Sequence, residues 1–297
     1  MQKVRHPNII GLKEFVDTPT HYVLVMDLMS GGDLFDRLQD QPQFMEEDAR
    51  KLITQVAEAI KYLHDHGIAH RDLKIENIMF TDKDSMNLKL GDFGLAKDMH
   101  GHTAVTRCGT TEYMAPEIVQ GVEYSPSVDV WALGCLVFIL LYGTFPFFND
   151  EDPEGNRLVD ITEKIKSGHF TFPPDGDEFQ VSDLAKDLIR KALEVDASKR
   201  ITVYQFLGHS WIKNRATNPL PLITPAALRT ANGVVSMKDI MTVGVTLERE
   251  KFQDESQLAN ELAKSKTNVR LASISESDLL DKRRRKKKKA EPNEMEQ

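Results

Sequence analysis

The chain has 297 residues, 40% hydrophobic and 28% charged, with a net charge of −8. That is enough apolar material for one large domain, or two smaller ones with a tail, and the two cysteines (Cys108 and Cys135) exclude a disulfide framework and point to a reducing, intracellular setting. The acidic body disfavours a nucleic-acid binder, although ten Lys or Arg against six Asp or Glu from Ser265 onward set the C-terminal end apart.

The opening residues, MQKVRHPNII, lack the charged-then-apolar layout of a signal peptide. The first thirty residues read as strands. His21 to Met29 is rich in Val and Leu and stops at the turn signal Ser30-Gly31-Gly32. A helix is predicted over Glu46 to His66, where Leu52, Ile53, Val56, Ile60 and Leu63 recur at helical spacing ahead of Gly67. Ile75 to Phe80 and Leu88 to Leu90, joined by a polar turn, suit a β-hairpin. From Ser125 onward the chain reads mostly helical. The apolar run Val130 to Tyr142, broken only by Gly134, is shorter than the ~20 residues of a membrane span and predicts a fully buried helix. Ser182 caps a helix whose apolar face is Ala185, Leu188, Ile189, Ala192 and Leu193. The pattern fades near Asn214, and Pro219, Pro221 and Pro225 begin a linker-like stretch.

Three short motifs occur in order. His70-Arg71-Asp72-Leu73-Lys74-Ile75-Glu76-Asn77 is followed by Asp92-Phe93-Gly94 and then by Ala115-Pro116-Glu117. Singly each is weak; together, with a strand reading before Asp92, they resemble the eukaryotic serine/threonine protein kinases. Phosphoryl transfer asks a protein mainly for positioning and neutralised charge. On the resemblance, Asp72 accepts the hydroxyl proton of the incoming Ser or Thr, and Lys74 places a positive charge near the transferring phosphate. Asn77 and Asp92 offer oxygens to Mg²⁺, which takes few protein ligands and keeps waters and phosphates. Lys74 also favours Ser/Thr over Tyr substrates.

The resemblance covers roughly Val4 to Lys213 and is greatest to the calcium/calmodulin-dependent group, with the checkpoint kinases as one candidate within it. It implies an α+β protein-kinase fold: a mainly helical large lobe over 30–213, a remnant of the small lobe and hinge over 1–29, and a linker with a largely disordered basic tail over 214–297. For ATP it implies Met26 as gatekeeper, Asp27 to Met29 as the adenine-binding hinge, Asp33 near the ribose and an upstream substrate arginine, and Met79 as the floor of the adenine pocket. Thr106 matches the activation-loop phosphosite, placed there by an upstream activating kinase, and Arg71 the arginine that pairs with that phosphate. Thr110 matches the threonine that helps select Ser/Thr. Asp33 and Glu76 together suggest a preference for Arg upstream of the target residue. His70, Phe93 and Gly94 are structural, Asp129 anchors the catalytic loop, and Glu117 and Arg200 form an ion pair. Ile75 and Thr111 replace prolines usual in the family, at positions that do no chemistry.

In the family a Gly-rich phosphate loop, a lysine-bearing strand and its glutamate partner precede HPNI. They are absent from these 297 residues, so the small lobe is expected to be mostly missing and the chain to be a fragment. The expectation is a Ser/Thr kinase whose full-length product uses ATP and Mg²⁺, while this truncated chain transfers little phosphate. The alternative is a non-catalytic, pseudokinase-like module that docks protein partners. In the tail, Lys282 to Lys289 is eight uninterrupted cations and reads as a nuclear import signal, giving a nuclear or cytoplasmic location. Arg270-Leu271-Ala272-Ser273 has the spacing a basophilic kinase phosphorylates. The stretch Thr246 to Lys264 carries Glu248, Glu250, Asp254, Glu255 and Glu261, too acidic for a calmodulin-binding helix.

Overall fold

The computed structural model describes residues 4–18, 21–40, 44–100, 103–147, 157–174, 180–213 and 221–222. The tail features at 246–264, 270–273 and 282–289 lie outside the described residues. By contact pattern the chain divides into two units, Met1–Glu14 with Val25–Leu247, and Phe15–Leu24 with Glu248–Gln297. In the second, the described residues are the far ends of strands β1 (Leu12–Asp17) and β2 (Tyr22–Met26), closed by a turn in which the Thr18 hydroxyl donates to the His21 carbonyl at 2.7 Å.

The first unit is mainly helical. Helix α1 (Leu34–Asp40) precedes a two-residue strand β3 (Phe44–Met45) and the long helix α2 (Glu46–Asp65). Helix α2 forms where the periodicity places it. Glu46, Glu47 and Asp48 favour its positive N-terminal end, its apolar stripe is wholly buried, and Gly67 leaves it at a φ of 65°. Strands β4 (Ile68–Ala69) and β7 (Lys97–Asp98) pair antiparallel, as do β5 (Ile78–Phe80) and β6 (Leu88–Leu90). The hairpin thus forms, but shorter than its sequence suggests. Ile75–Asn77 is a 3₁₀ turn, because the Asn77 amide folds back onto the Asp72 carbonyl at 2.8 Å.

The chain then runs through α3 (Pro116–Gln120), α4 (Ser127–Tyr142), α5 (Arg157–Ser167), α6 (Asp183–Ala192), α7 (Val203–Gly208) and α8 (Ser210–Lys213). Helix α4 is apolar on all sides and is buried from Val128 to Tyr142, packed against α2, α6 and α7. A Cβ at Gly134 would lie 2.9 Å from Ala192 and Leu193, so the missing side chain is what lets α6 lie this close. The Ser182 hydroxyl accepts from the Ala185 N–H at 3.2 Å, the cap expected from sequence. Past Lys213 the described residues are Pro221 and Leu222, which lie in the proline-rich stretch. Strand β8 (Pro221–Leu222) pairs antiparallel with β3, a long-range contact that leaves no local pattern to read. Among the described residues no helix is long and apolar enough to cross a membrane.

Candidate active site

Residues 70–77 link β4 to β5 and rest on α4 through Asp129. This carboxylate is buried and accepts the main-chain N–H groups of His70 (2.9 Å) and Arg71 (2.9 Å) and a ring nitrogen of His64 (2.8 Å). Burial pushes the Asp129 carboxyl up, but His64, His70 and the Arg71 main chain outweigh it and hold the group below its ordinary value. Among the described residues, two that are not glycine have a positive φ: Arg71 at 69° and Asp92 at 50°. Such conformations cost energy and gather at working sites.

Around Asp72 the side chains converge. Its Oδ1 accepts from the Thr110 hydroxyl at 3.1 Å. Its Oδ2 faces the Lys74 ammonium and the Asn77 amide, each at 3.2 Å. Lys74 also donates to Thr110 at 3.2 Å. Thr110 is brought there by Gly109, whose φ is 104° and whose absent Cβ would sit 2.8 Å from the Arg71 carbonyl oxygen. Asp72 therefore lies in a largely dehydrated pocket with one fixed cation and two fixed donors.

The segment of Asp92 is tied to the same loop. The Gly91 N–H donates to the Asn77 carbonyl at 2.8 Å, and the His70 ring bonds the Gly91 carbonyl at 3.1 Å. Burial keeps His70 below its usual range, so the neutral ring with Nε2–H donating fits this contact. Phe93 packs edge-on against His70 at 5.0 Å. Asp92 is exposed; its Oδ1 accepts from the Gly94 N–H at 3.0 Å. The Asn77 amide spends its NH₂ on Asp72, which leaves its oxygen as an acceptor, so Asn77 and Asp92 present two oxygens from adjoining loops. That donor set suits a hard cation completed by phosphate and water.

The residues expected to receive ATP are placed as follows. Met26 is exposed and Met29 half-buried. The Asp27 N–H donates to the Gly11 carbonyl at 3.1 Å, and its carboxylate pairs with Lys13 at 2.7 Å and Lys89 at 3.6 Å. Asp33 caps α1 by accepting from the Asp36 N–H at 2.7 Å and bridges to the main chain of Met79. Burial raises the Asp33 carboxyl. Glu76 is raised in the same way, with the like charges of Asp33 and Asp72 adding to the shift, and its Oε2 is buried with no partner among the described residues. Thr106 is exposed. Glu117 and Arg200 meet in a two-pronged buried pair.

Three contacts escaped the sequence reading: His64 on Asp129, the two lysines on Asp27, and Tyr124 on Arg71 at 2.9 Å. None has a spacing or composition signal, since each depends on how separate elements pack.

The protein kinase domain family matches residues 1–212. The chain is 44% identical over 219 residues to a Dictyostelium discoideum protein named "Probable serine/threonine-protein kinase fhkC", covering 72% of this chain and 36% of that one. It is 41% identical over 218 residues to human calcium/calmodulin-dependent protein kinase type IV, covering 73% and 45%. It is 41% identical over 223 residues to Dictyostelium discoideum myosin light chain kinase A, covering 73% and 72%. The chain thus spans less than half the length of the first two relatives.

Proposed function

The chain belongs to the protein kinase family, within the calcium/calmodulin-dependent group of serine/threonine kinases, and on that premise we propose that it moves the γ-phosphate of ATP to Ser or Thr hydroxyls of proteins. The observation that carries this reading is the Asp72 cluster. A carboxylate only 9% exposed is held by Lys74, Asn77 and Thr110, all within 3.2 Å.

In this reading Asp72 takes the proton of the attacking hydroxyl, and Lys74, whose ammonium already faces it, turns its charge to the transferring phosphate. Asn77 and Asp92 hold Mg²⁺, which neutralises charge on the phosphates when bound. Met26, Asp27 and Met29 line the adenine site and Met79 floors it. Asp33 serves the ribose and a substrate arginine. Glu76 adds to that preference, because its buried Oε2, which has no hydrogen-bond partner among the described residues, is relieved by a cation. Thr110 selects Ser/Thr, and Thr106 takes the activating phosphate of an upstream kinase. Lys282 to Lys289 serves nuclear import. Calmodulin is left out of the proposal, given the acidic stretch 246–264.

The test is transfer of labelled γ-phosphate from Mg-ATP to an Arg-Leu-Ala-Ser peptide by the full-length product and by its Asp72→Asn variant. Transfer that falls by about 10²-fold or more in the variant supports the reading. Transfer untouched by Asp72→Asn would remove Asp72 from its role. Label from neither protein would give the field to the docking-module alternative.

A further inference from the structure

The activation segment is tied to the catalytic loop through a phenol. Tyr124 lies between α3 and α4, with its ring buried and its main chain exchanging two hydrogen bonds with Ala104, at 3.1 and 2.9 Å. Its hydroxyl accepts from Arg71 Nη1 at 2.9 Å and donates to the Thr106 carbonyl at 2.8 Å. The Cys108 sulfur lies 3.8 Å away. Arg71 Nε donates to the Leu95 carbonyl at 2.6 Å, and among the described residues this guanidinium has no carboxylate partner. Burial raises the Tyr124 phenol above its usual value, so the O–H that donates to Thr106 is present throughout the neutral range.

These bonds form a relay in which each atom has a defined role. Arg71 is one residue before Asp72, and Thr106 is four before Thr110. The phenol therefore ties the start of the stretch 106–110 to the residue beside Asp72, and the Thr110 hydroxyl rests on Asp72 at the other end. The bridge does not use the Thr106 side chain, because the main-chain carbonyl of this exposed residue is the acceptor.

We propose that Tyr124 is a positioning residue: its hydroxyl bridges the Arg71 guanidinium to the Thr106 carbonyl and so holds residues 106–110 against Asp72 before any phosphate is placed on Thr106. The inference deepens the phosphotransfer reading and rests on it for its kinetic consequence, but the bridge itself is measurable without catalysis. A neutral phenol here orders the segment in its basal state. A phosphate on Thr106 adds an anion beside a guanidinium that is already in place.

The test uses the full chain, unphosphorylated at Thr106, and Tyr124→Phe, which keeps the buried ring and the pairing with Ala104 and removes only the oxygen. Hydrogen exchange is followed at the amides of residues 106–110, with those of α4 as the reference. Exchange at 106–110 is expected to quicken about fivefold or more while α4 is unchanged, and KM for a peptide substrate is expected to rise by a similar factor with kcat within about twofold. Thr106→Ala keeps the carbonyl and is expected to exchange like the wild type. Exchange in Tyr124→Phe equal to wild type overturns the bridge. Thr106→Ala behaving like Tyr124→Phe overturns it as well, since the side chain would then be the tether. Quicker exchange with an unchanged KM overturns the positioning role. Quicker exchange in a chain that transfers no phosphate leaves the bridge standing and removes the phosphotransfer reading instead.

Discussion

Glu117 and Arg200 lie 83 positions apart and meet as a parallel fork, with Nη1 to Oε1 at 2.7 Å and Nη2 to Oε2 at 2.9 Å. Both are nearly inaccessible, at 7% and 4%. Arg200 further donates to the carbonyls of Glu194 and Ser127 and lies over the Trp131 ring. The pair thus pins the start of α3 to the loop between α6 and α7.

Removing one partner leaves a buried charge without compensation. Arg200→Met is expected to cost about 3–5 kcal/mol, which for a domain of this size lowers the melting temperature by roughly 10 °C. Glu117→Gln combined with Arg200→Met should cost less than the two changes summed, because the second removes the charge the first orphans. Thermal melts of the four proteins check this; strict additivity would show that the two residues do not act as a pair.

Asp129 gives a pH signature. Its folded-state pKa lies below the ordinary 3.8, so its ionised form stabilises the fold. That contribution is fully present above about pH 4 and is lost as the pH falls below 3.8 through the folded value. Asp129→Asn removes the charge that three donors share, at a cost of about 3 kcal/mol near neutrality. Urea midpoints from pH 6 down to pH 3 should show the gap between wild type and variant closing only at the acidic end. A gap that is constant over the whole range would mean that ionised Asp129 contributes nothing as a charge.

The elements legible in the sequence are those with a local cause. Helix α2 follows from its stripe of Leu52, Ile53, Val56, Ile60 and Leu63, α4 from an unbroken apolar run, and α6 from Ser182 at its cap. The residues around Asp72 were legible because the motif 70–77 packs several of them into one loop. Long-range pairing was not legible. Strand β8 against β3, Tyr124 against Arg71, and Glu46 against Ser182 and Trp211 join positions with no shared period, and in the last case 136 and 165 residues apart. Glu46 reads as one more acidic residue in the first turn of a helix, yet it is among the few charged side chains buried in the core.

Gly109 tests how finely Thr110 is placed. At φ 104° an alanine is strained, and its Cβ would press on the Arg71 carbonyl oxygen from 2.8 Å. Gly109→Ala is expected to cost about 1–3 kcal/mol of stability. It should also draw the Thr110 hydroxyl off Asp72, so that the fall in peptide phosphorylation exceeds the fraction unfolded. Activity per folded molecule, with folding read from circular dichroism, distinguishes this from mere destabilisation; an unchanged value would show that Thr110 needs no precise seat.

The Glu46 cluster supplies a prediction for stability alone. One carboxylate takes three donors: the Ser182 N–H at 3.0 Å, the Ser182 hydroxyl at 2.5 Å and the Trp211 indole N–H at 2.6 Å. No cation is among them, so the group works as an acceptor with several lone pairs rather than as half of an ion pair. It joins the start of α2 to the cap of α6 and to α8. Glu46→Gln keeps the shape but turns one acceptor into an NH₂, which must face a donor. Two N–H or O–H groups then point at each other inside the core. The expected cost is about 1–3 kcal/mol, larger than for Trp211→Phe, which removes a donor and leaves Glu46 its two Ser182 bonds. Denaturant midpoints of the two variants decide the matter. If Glu46→Gln proves the milder change, the indole packing rather than the shared carboxylate is what holds α8 in place.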